Sequence, residues 1–201
     1  MNGVQFSDGD FQNRNRIMTR NGVIWLTVPI LKPGTQLIKD VKINNTVNWR
    51  KKHWDSISQA YSKTPYFHDY ADMFESVYKK EWDRLETLNT HLLILLLKIL
   101  GIKTQVVLQS DYPYKGTKND LLIDMCKICA CDTFMFGSQG IDYADIDSFK
   151  LNNIKPIFQD YVHPVYKAER FALYVSVIDL LFNCGGNSYD IIMSGGNYYE
   201  M

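Results

Sequence analysis

The segment Gln12-Asn13-Arg14-Asn15-Arg16-Ile17 sets two guanidiniums and two carboxamides into four consecutive positions. Each arginine offers a planar fork of donors that matches a carboxylate or phosphate, and each asparagine both donates and accepts. In an extended segment Asn13 and Asn15 face one way and Arg14 and Arg16 the other, so the two pairs cannot serve one ligand. The face that lines a cleft then supplies either an amide pair for sugar hydroxyls or a guanidinium pair for an anion. The bland alternative is a surface loop in which an arginine pairs with a carboxylate and the asparagines cap turns. We expect a binding site, with Asn13, Arg14, Asn15 and Arg16 as substrate contacts.

His53 follows Arg50, Lys51 and Lys52, and neighbouring cations lower a histidine pKa and keep the ring neutral near pH 7. It is the best candidate for a catalytic base, or else it packs between Trp49 and Trp54. Asp179 stands among Val177, Ile178, Leu180, Leu181 and Phe182, where an ionised carboxylate is costly unless paired. It is either a structural partner for a backbone amide or a motif arginine, or a catalytic acid or base. Lys115-Gly116-Thr117-Lys118 lacks phosphate-loop spacing, although Lys118 beside a helix start can hold one phosphate. Gly137-Ser138-Gln139-Gly140 is no nucleophile elbow; its glycines would let the backbone approach a ligand closely.

Cys126, Cys129 and Cys131 have a Cys-x-x-Cys-x-Cys spacing, and Cys184 stands far from them. Tetrahedral zinc sites usually pair two ligand clusters, and no second cluster follows. Leu122, Met125, Cys126 and Cys129 share one helical face, so these read as core cysteines and no metal site is expected. No cofactor is specified.

Elements must position these groups. Residues 23–30 read as a buried strand and 38–43 as a half-exposed one, with Pro33-Gly34 as the turn between them. Helices are expected over 49–62, 70–80 and 85–100, the last with 92–97 as a buried segment. The second half alternates: strand 104–109, helix 120–131, strand 133–136, helix 147–153, strand 154–160 and helix 171–183. This rhythm predicts an α/β fold, a mainly parallel sheet flanked by helices, with a helical block in the middle of the chain. We expect one domain over 1–192 and a flexible tail over 193–201. Ligands of such sheets bind beyond the carboxyl ends of the strands, where Ser110, Gly137, Ser138 and Gly140 fall.

Lys plus Arg equals Asp plus Glu at 22 each, which argues against a nucleic-acid partner held by net charge. The apolar run 92–97 ends at Lys98, far short of the ~20 residues that cross a bilayer. No charged leader with an apolar stretch opens the chain, so a cytoplasmic location is expected.

Several motifs together resemble the WbqC-like family. They are Val4-Gln5-Phe6 and the Asn-Arg doublet, Trp25-Leu26-Thr27-Val28-Pro29, Trp49 with Lys52-His53-Trp54, Tyr61, and Pro65-Tyr66-Phe67. Leu88-Asn89, Leu100-Gly101-Ile102, Gly137-Ser138 with Gly140 and Tyr143, and 176–183 before Gly185 follow in the family's order. The resemblance implies a transferase of bacterial surface-polysaccharide (O-antigen) biosynthesis. Such an enzyme would move glycine or another small acyl or aminoacyl group from a donor onto an amino sugar held on a nucleotide or other carrier. It also brings Tyr143 into the expected substrate contacts. The alternative is a noncatalytic sugar-nucleotide-binding or complex-organising protein. Relatives carry a strand and a His-Gln-Pro segment several dozen residues before Val-Gln-Phe, which this chain lacks. Either the start is set too late or the chain is a shortened copy, and the first is expected because a missing strand would leave a raw sheet edge.

Overall fold

In the computed structural model, which describes residues 2–7, 9–31 and 35–200, the elements run in chain order as follows. They are β1 (Arg14–Thr19), β2 (Gly22–Thr27), α1 (Trp49–Tyr61), α2 (Phe67–Lys79), α3 (Leu85–Ile99), α4 (Lys118–Ile128), β3 (Thr133–Phe136), α5 (Ile146–Leu151), β4 (Lys155–Gln159), α6 (Val177–Cys184), α7 (Ser188–Ser194) and β5 (Tyr198–Glu200). The chain divides into two units, Met1–Ser110 with Val165–Ile191, and Asp111–Pro164 with Ile192–Met201.

The first unit is built on an antiparallel hairpin in which β1 and β2 pair from Arg14↔Thr27 to Thr19↔Gly22. Gly22 has φ +105°, a conformation that only glycine adopts without strain. The run expected as a buried strand ends at Thr27, and Val23, Ile24 and Trp25 are 40%, 37% and 42% exposed. A two-stranded hairpin is covered on one face only, unlike a strand inside a parallel sheet. The expected strand 38–43 is instead a 3-10 turn, Ile38–Asp40, followed by single bridges Ile30↔Ile43 and Lys42↔Arg84. Its apolar residues are still core: Val41 and Ile43 pack with Trp49, Val77, Trp82 and Leu85. The Pro33-Gly34 turn lies outside the described residues. Gln5 bridges to Leu37, which ties the opening segment into this unit.

The helical block forms where the periodicity places it. Helix α1 buries Trp49, His53, Ile57 and Tyr61 at four-residue spacing, one stripe of a 3.6-residue helix. The second half of helix α3 is apolar on every side up to Lys98, yet Leu93 and Ile94 are 45% and 52% exposed. The segment 92–97 is therefore not wholly buried, because only one stripe of α3 meets the two cores of this unit. Helix α6 is shorter than the expected 171–183. Tyr174 adopts φ +62° and Ser176 is extended, so the helix cannot begin before Val177.

In the second unit β3 pairs parallel to β4, and β5 adds antiparallel on the other side of β4. The core comprises Ile123, Cys126, Phe136, Phe149, Ile154 and Phe158, with Phe136 stacked on Phe158 at 5.2 Å. The fold is mixed α/β, but the mainly parallel sheet is not formed. Among the described residues β3 with β4 is the one parallel pair, and 104–108 join no ladder. The helices and the strands at 133–136 and 154–160 form close to where they were expected, but the strand 104–109 does not, because pairing is chosen by tertiary contacts that periodicity does not encode. Strand β5 itself comes from the segment expected to be loose. Cys126 is buried, and burial pushes its thiol up to about 11. Cys129, expected on the same buried face, lies past the end of α4 and is exposed.

Candidate functional site

A cavity of about 310 Å³ opens in the first unit between the hairpin and helices α1, α2, α3 and α6. Its polar lining includes Gln12, Asn13, Arg14, Asn15, His53, Asn89 and Ser176, against apolar walls that include Ile57, Leu92 and Leu96. Its size and mixture of a few polar groups on apolar walls suit a small ligand.

Antiparallel pairing decides what β1 presents. Val28 N–H donates to Asn13 O at 2.8 Å, so Arg14 and Arg16 turn their backbone groups away from β2. On that free edge Arg16 O accepts from Ser176 N–H at 2.7 Å, and Met18 N–H donates to Tyr61 Oη at 3.0 Å. Asn13 is 5% exposed; its Nδ2 donates to Val28 O at 3.1 Å, while Oδ1 is buried with no partner. A buried acceptor left unmade costs about 1–3 kcal/mol. Asn15 is exposed, and its Oδ1 accepts from the Arg16 N–H at 2.8 Å. The two guanidiniums share a face, over Trp25 at 4.1 Å for Arg14 and 5.5 Å for Arg16. They are not equivalent. Arg14 lines the same cavity as Asn13 and Asn15, against the expected division of the two pairs between separate ligands, and has a buried Nε without a partner. Arg16 lies outside the lining and donates through Nε and Nη2 to Tyr174 O at 3.1 and 2.7 Å.

His53 is 7% exposed and sits edge-on to Trp49 and Tyr78 at 5.2 and 6.0 Å. Its Nε2 lies 3.1 Å from Thr27 O. A carbonyl can only accept, so Nε2 carries the proton and Nδ1 is the ring's lone-pair atom. Burial lowers the pKa from 6.5 to about 4, opposed in part by the bond to Thr27. The ring is neutral at pH 7 as expected, but desolvation rather than the neighbouring cations is the cause.

Asp179, 1% exposed, is not in this cavity and pairs with no arginine. Tyr61 Oη donates to Oδ2 and Tyr166 Oη to Oδ1, both at 2.7 Å, and Asn183 Nδ2 lies 3.4 Å from Oδ1. Burial raises its pKa, against the three hydrogen bonds that lower it. Burial, with the carboxylate beside each, raises both tyrosines as well. Asp179 thus locks α6 to α1 and to the segment carrying Tyr166.

The remaining expected contacts are not on this cavity. Ser110 is tied to Asn2, accepting from Nδ2 at 2.9 Å and donating its N–H to Oδ1 at 3.0 Å. Lys118, Gly137, Ser138, Gly140 and Tyr143 belong to the second unit. Tyr143 O accepts from Asn119 Nδ2 at 3.0 Å, and Ser138 opens a 3-10 turn, Ser138–Asp142. Packing accounts for Gly140, because a Cβ there would run into the Cβ and ring of Phe136. Gly140→Ala should therefore destabilise the second unit by about 1–3 kcal/mol. Gly137→Ala should be near neutral, since φ is −66° and no atom lies within 4 Å of an added Cβ. Urea unfolding of both variants checks the contrast.

Two contributors were not read from the sequence. Asn89 donates to Gln12 O at 2.9 Å and lines the cavity; a carboxamide one residue after the buried Leu88 is the signal that could have found it. The first turn of α6 is the other, because the apolar pattern runs back to residue 171 while the helix begins at Val177.

The model of the WbqC-like protein family matches residues 1–191. The chain is also 32% identical over 195 residues to the uncharacterized protein Rv1507c of Mycobacterium tuberculosis, covering 94% of this chain and 84% of that protein. The chain belongs to the WbqC-like protein family. No solved structure matches it. Among the described residues, no helix is long and apolar enough to cross a membrane.

Proposed function

We propose that the cavity of the first unit binds a sugar held on a nucleotide or other carrier, and that the protein is a transferase of bacterial surface-polysaccharide assembly. It moves glycine or another small acyl or aminoacyl group onto an amino group of that sugar. The observation that carries this is Asn13 Oδ1, a buried acceptor without a partner on the wall of a cavity that His53 shares. A small rotation of the carboxamide meets a sugar hydroxyl, and Asn15 and Asn89 add further amides. His53, neutral with Nδ1 free to accept, takes the proton of the attacking amine as the C–N bond forms, and the bond from the acyl carbon to the donor's activating group breaks, that group leaving with the electron pair. Lys118, Gly137, Ser138, Gly140 and Tyr143 have no part in this cavity.

Incubation with activated donors and nucleotide-linked amino sugars, read by mass spectrometry, tests the reading. Wild type should give the acylated sugar, and His53→Gln should slow turnover by about 10²–10⁴-fold. No product and no binding across both ligand classes would refute it. One observation favours a noncatalytic carrier-binding protein instead: a ring whose pKa is about 4 is a weak base. Sugar-nucleotide binding that Arg14→Ala weakens, with no reaction for any donor, would favour that alternative.

A further inference from the structure

The first turn of α6 reaches the cavity through Ser176, Val177 and Ile178. Ser176 is the N-cap, with φ −57° and ψ 146°, and its side chain makes no capping bond. Its N–H goes to Arg16 O at 2.7 Å, and Asp179 N–H returns to Ser176 O at 2.9 Å. Among the described residues no acceptor meets the N–H of Val177 or Ile178. The first N–H groups of a helix have no partner within it and carry a partial positive charge. Asp179, the acidic residue of this turn, does not fill the role, because its carboxyl is held by Tyr61 and Tyr166.

An independent feature sits on the same cavity. Asn13, 5% exposed, has its Oδ1 unpartnered, and the neighbouring Arg14 has no carboxylate partner among the described residues. Trp25 fixes the plane of that guanidinium at 4.1 Å. Two backbone N–H groups and a guanidinium suit the three oxygens of a phosphoryl group better than the two of a carboxylate.

We propose that the N-terminal turn of α6 and Arg14 form an oxyanion subsite that takes the phosphoryl group of the sugar's carrier, with Asn13 Oδ1 accepting from a hydroxyl beside it. This rests on the reading of the cavity as the carrier-sugar site. Arg16 is a positioning residue: through the carbonyl of Tyr174 it holds the strained entry to α6, and it does not touch the anion.

Calorimetric titration of the full chain with pyrophosphate, with acetate as the carboxylate comparison, tests the subsite. Val177→Pro deletes one N–H at a position where proline is favoured, and the extended Ser176 suits the residue before a proline. It should weaken pyrophosphate binding by about tenfold, and Arg14→Gln by at least as much. Arg14→Gln alone carries the test if Val177→Pro does not fold. Undiminished binding in the folded variants, acetate bound as tightly as pyrophosphate, or no pyrophosphate binding by wild type overturns the proposal. Pyrophosphate binding that depends on Arg14 supports the subsite even if no acyl transfer is found, which would sink only the transferase reading. Transfer to a free amino sugar without pyrophosphate binding would sink only the subsite.

Discussion

Asp179→Ala should destabilise the protein by about 2–4 kcal/mol and lower the thermal midpoint by roughly 6–12 °C. The substitution strips the acceptor from the hydroxyls of Tyr61 and Tyr166, which both reach Asp179 at 2.7 Å. Each buried donor left unmade costs about 1–3 kcal/mol, and relief of the carboxylate's own desolvation offsets part of the sum. Tyr61 also receives the Met18 N–H, so the loss spreads to the free edge of β1. Asp179→Asn keeps one acceptor and should cost less, about 1–2 kcal/mol. A cost in Asp179→Ala as small as that of an exposed substitution would show that this triad does not hold α6 in place.

Acidification should cost the wild type more stability than it costs His53→Gln. The unfolded chain binds a proton near the ordinary histidine pKa of 6.5, whereas the folded ring resists protonation until about 4. The stabilising contribution of neutral His53 is therefore complete above pH 6.5 and is lost as the pH falls toward 4. The gap corresponds to about 3 kcal/mol. Asp179 acts in the opposite sense: its raised pKa means the folded state holds the proton, and that contribution fades as the pH rises through the folded pKa. The difference between wild type and His53→Gln isolates the histidine. Urea midpoints measured from pH 7 to 4 should converge between the two proteins, and curves that stay parallel would contradict the assignment.

The features that the sequence made legible are those with local causes. Trp54, Ile57 and Tyr61 at three- and four-residue spacings mark α1 as a helix, although the buried stripe is Trp49, His53, Ile57 and Tyr61, and the Asn-Arg doublet marks one wall of the cavity. Residues 29–31 do meet 42–44 in antiparallel fashion on either side of Pro33-Gly34, through the Ile30↔Ile43 bridge, while the longer hairpin turns at Asn21-Gly22, itself a strong turn signal. What stayed hidden depends on long-range partners. Asp179 plainly needed a hydrogen-bond donor, but nothing along the chain says that one comes from Tyr61, 118 residues away. Likewise, the different fates of Arg14 and Arg16 follow from where the Tyr174 carbonyl lands.

The most direct test of the central claim, that the first-unit cavity is the sugar site, is a titration of the ¹⁵N-labelled protein with UDP-N-acetylglucosamine. The largest shifts are expected at the side-chain amides of Asn13, Asn15 and Asn89 and at the backbone of Ser176, Val177 and Ile178. Shifts confined to Lys118, Gly137 and Ser138 of the second unit, with the cavity resonances unmoved, would contradict it.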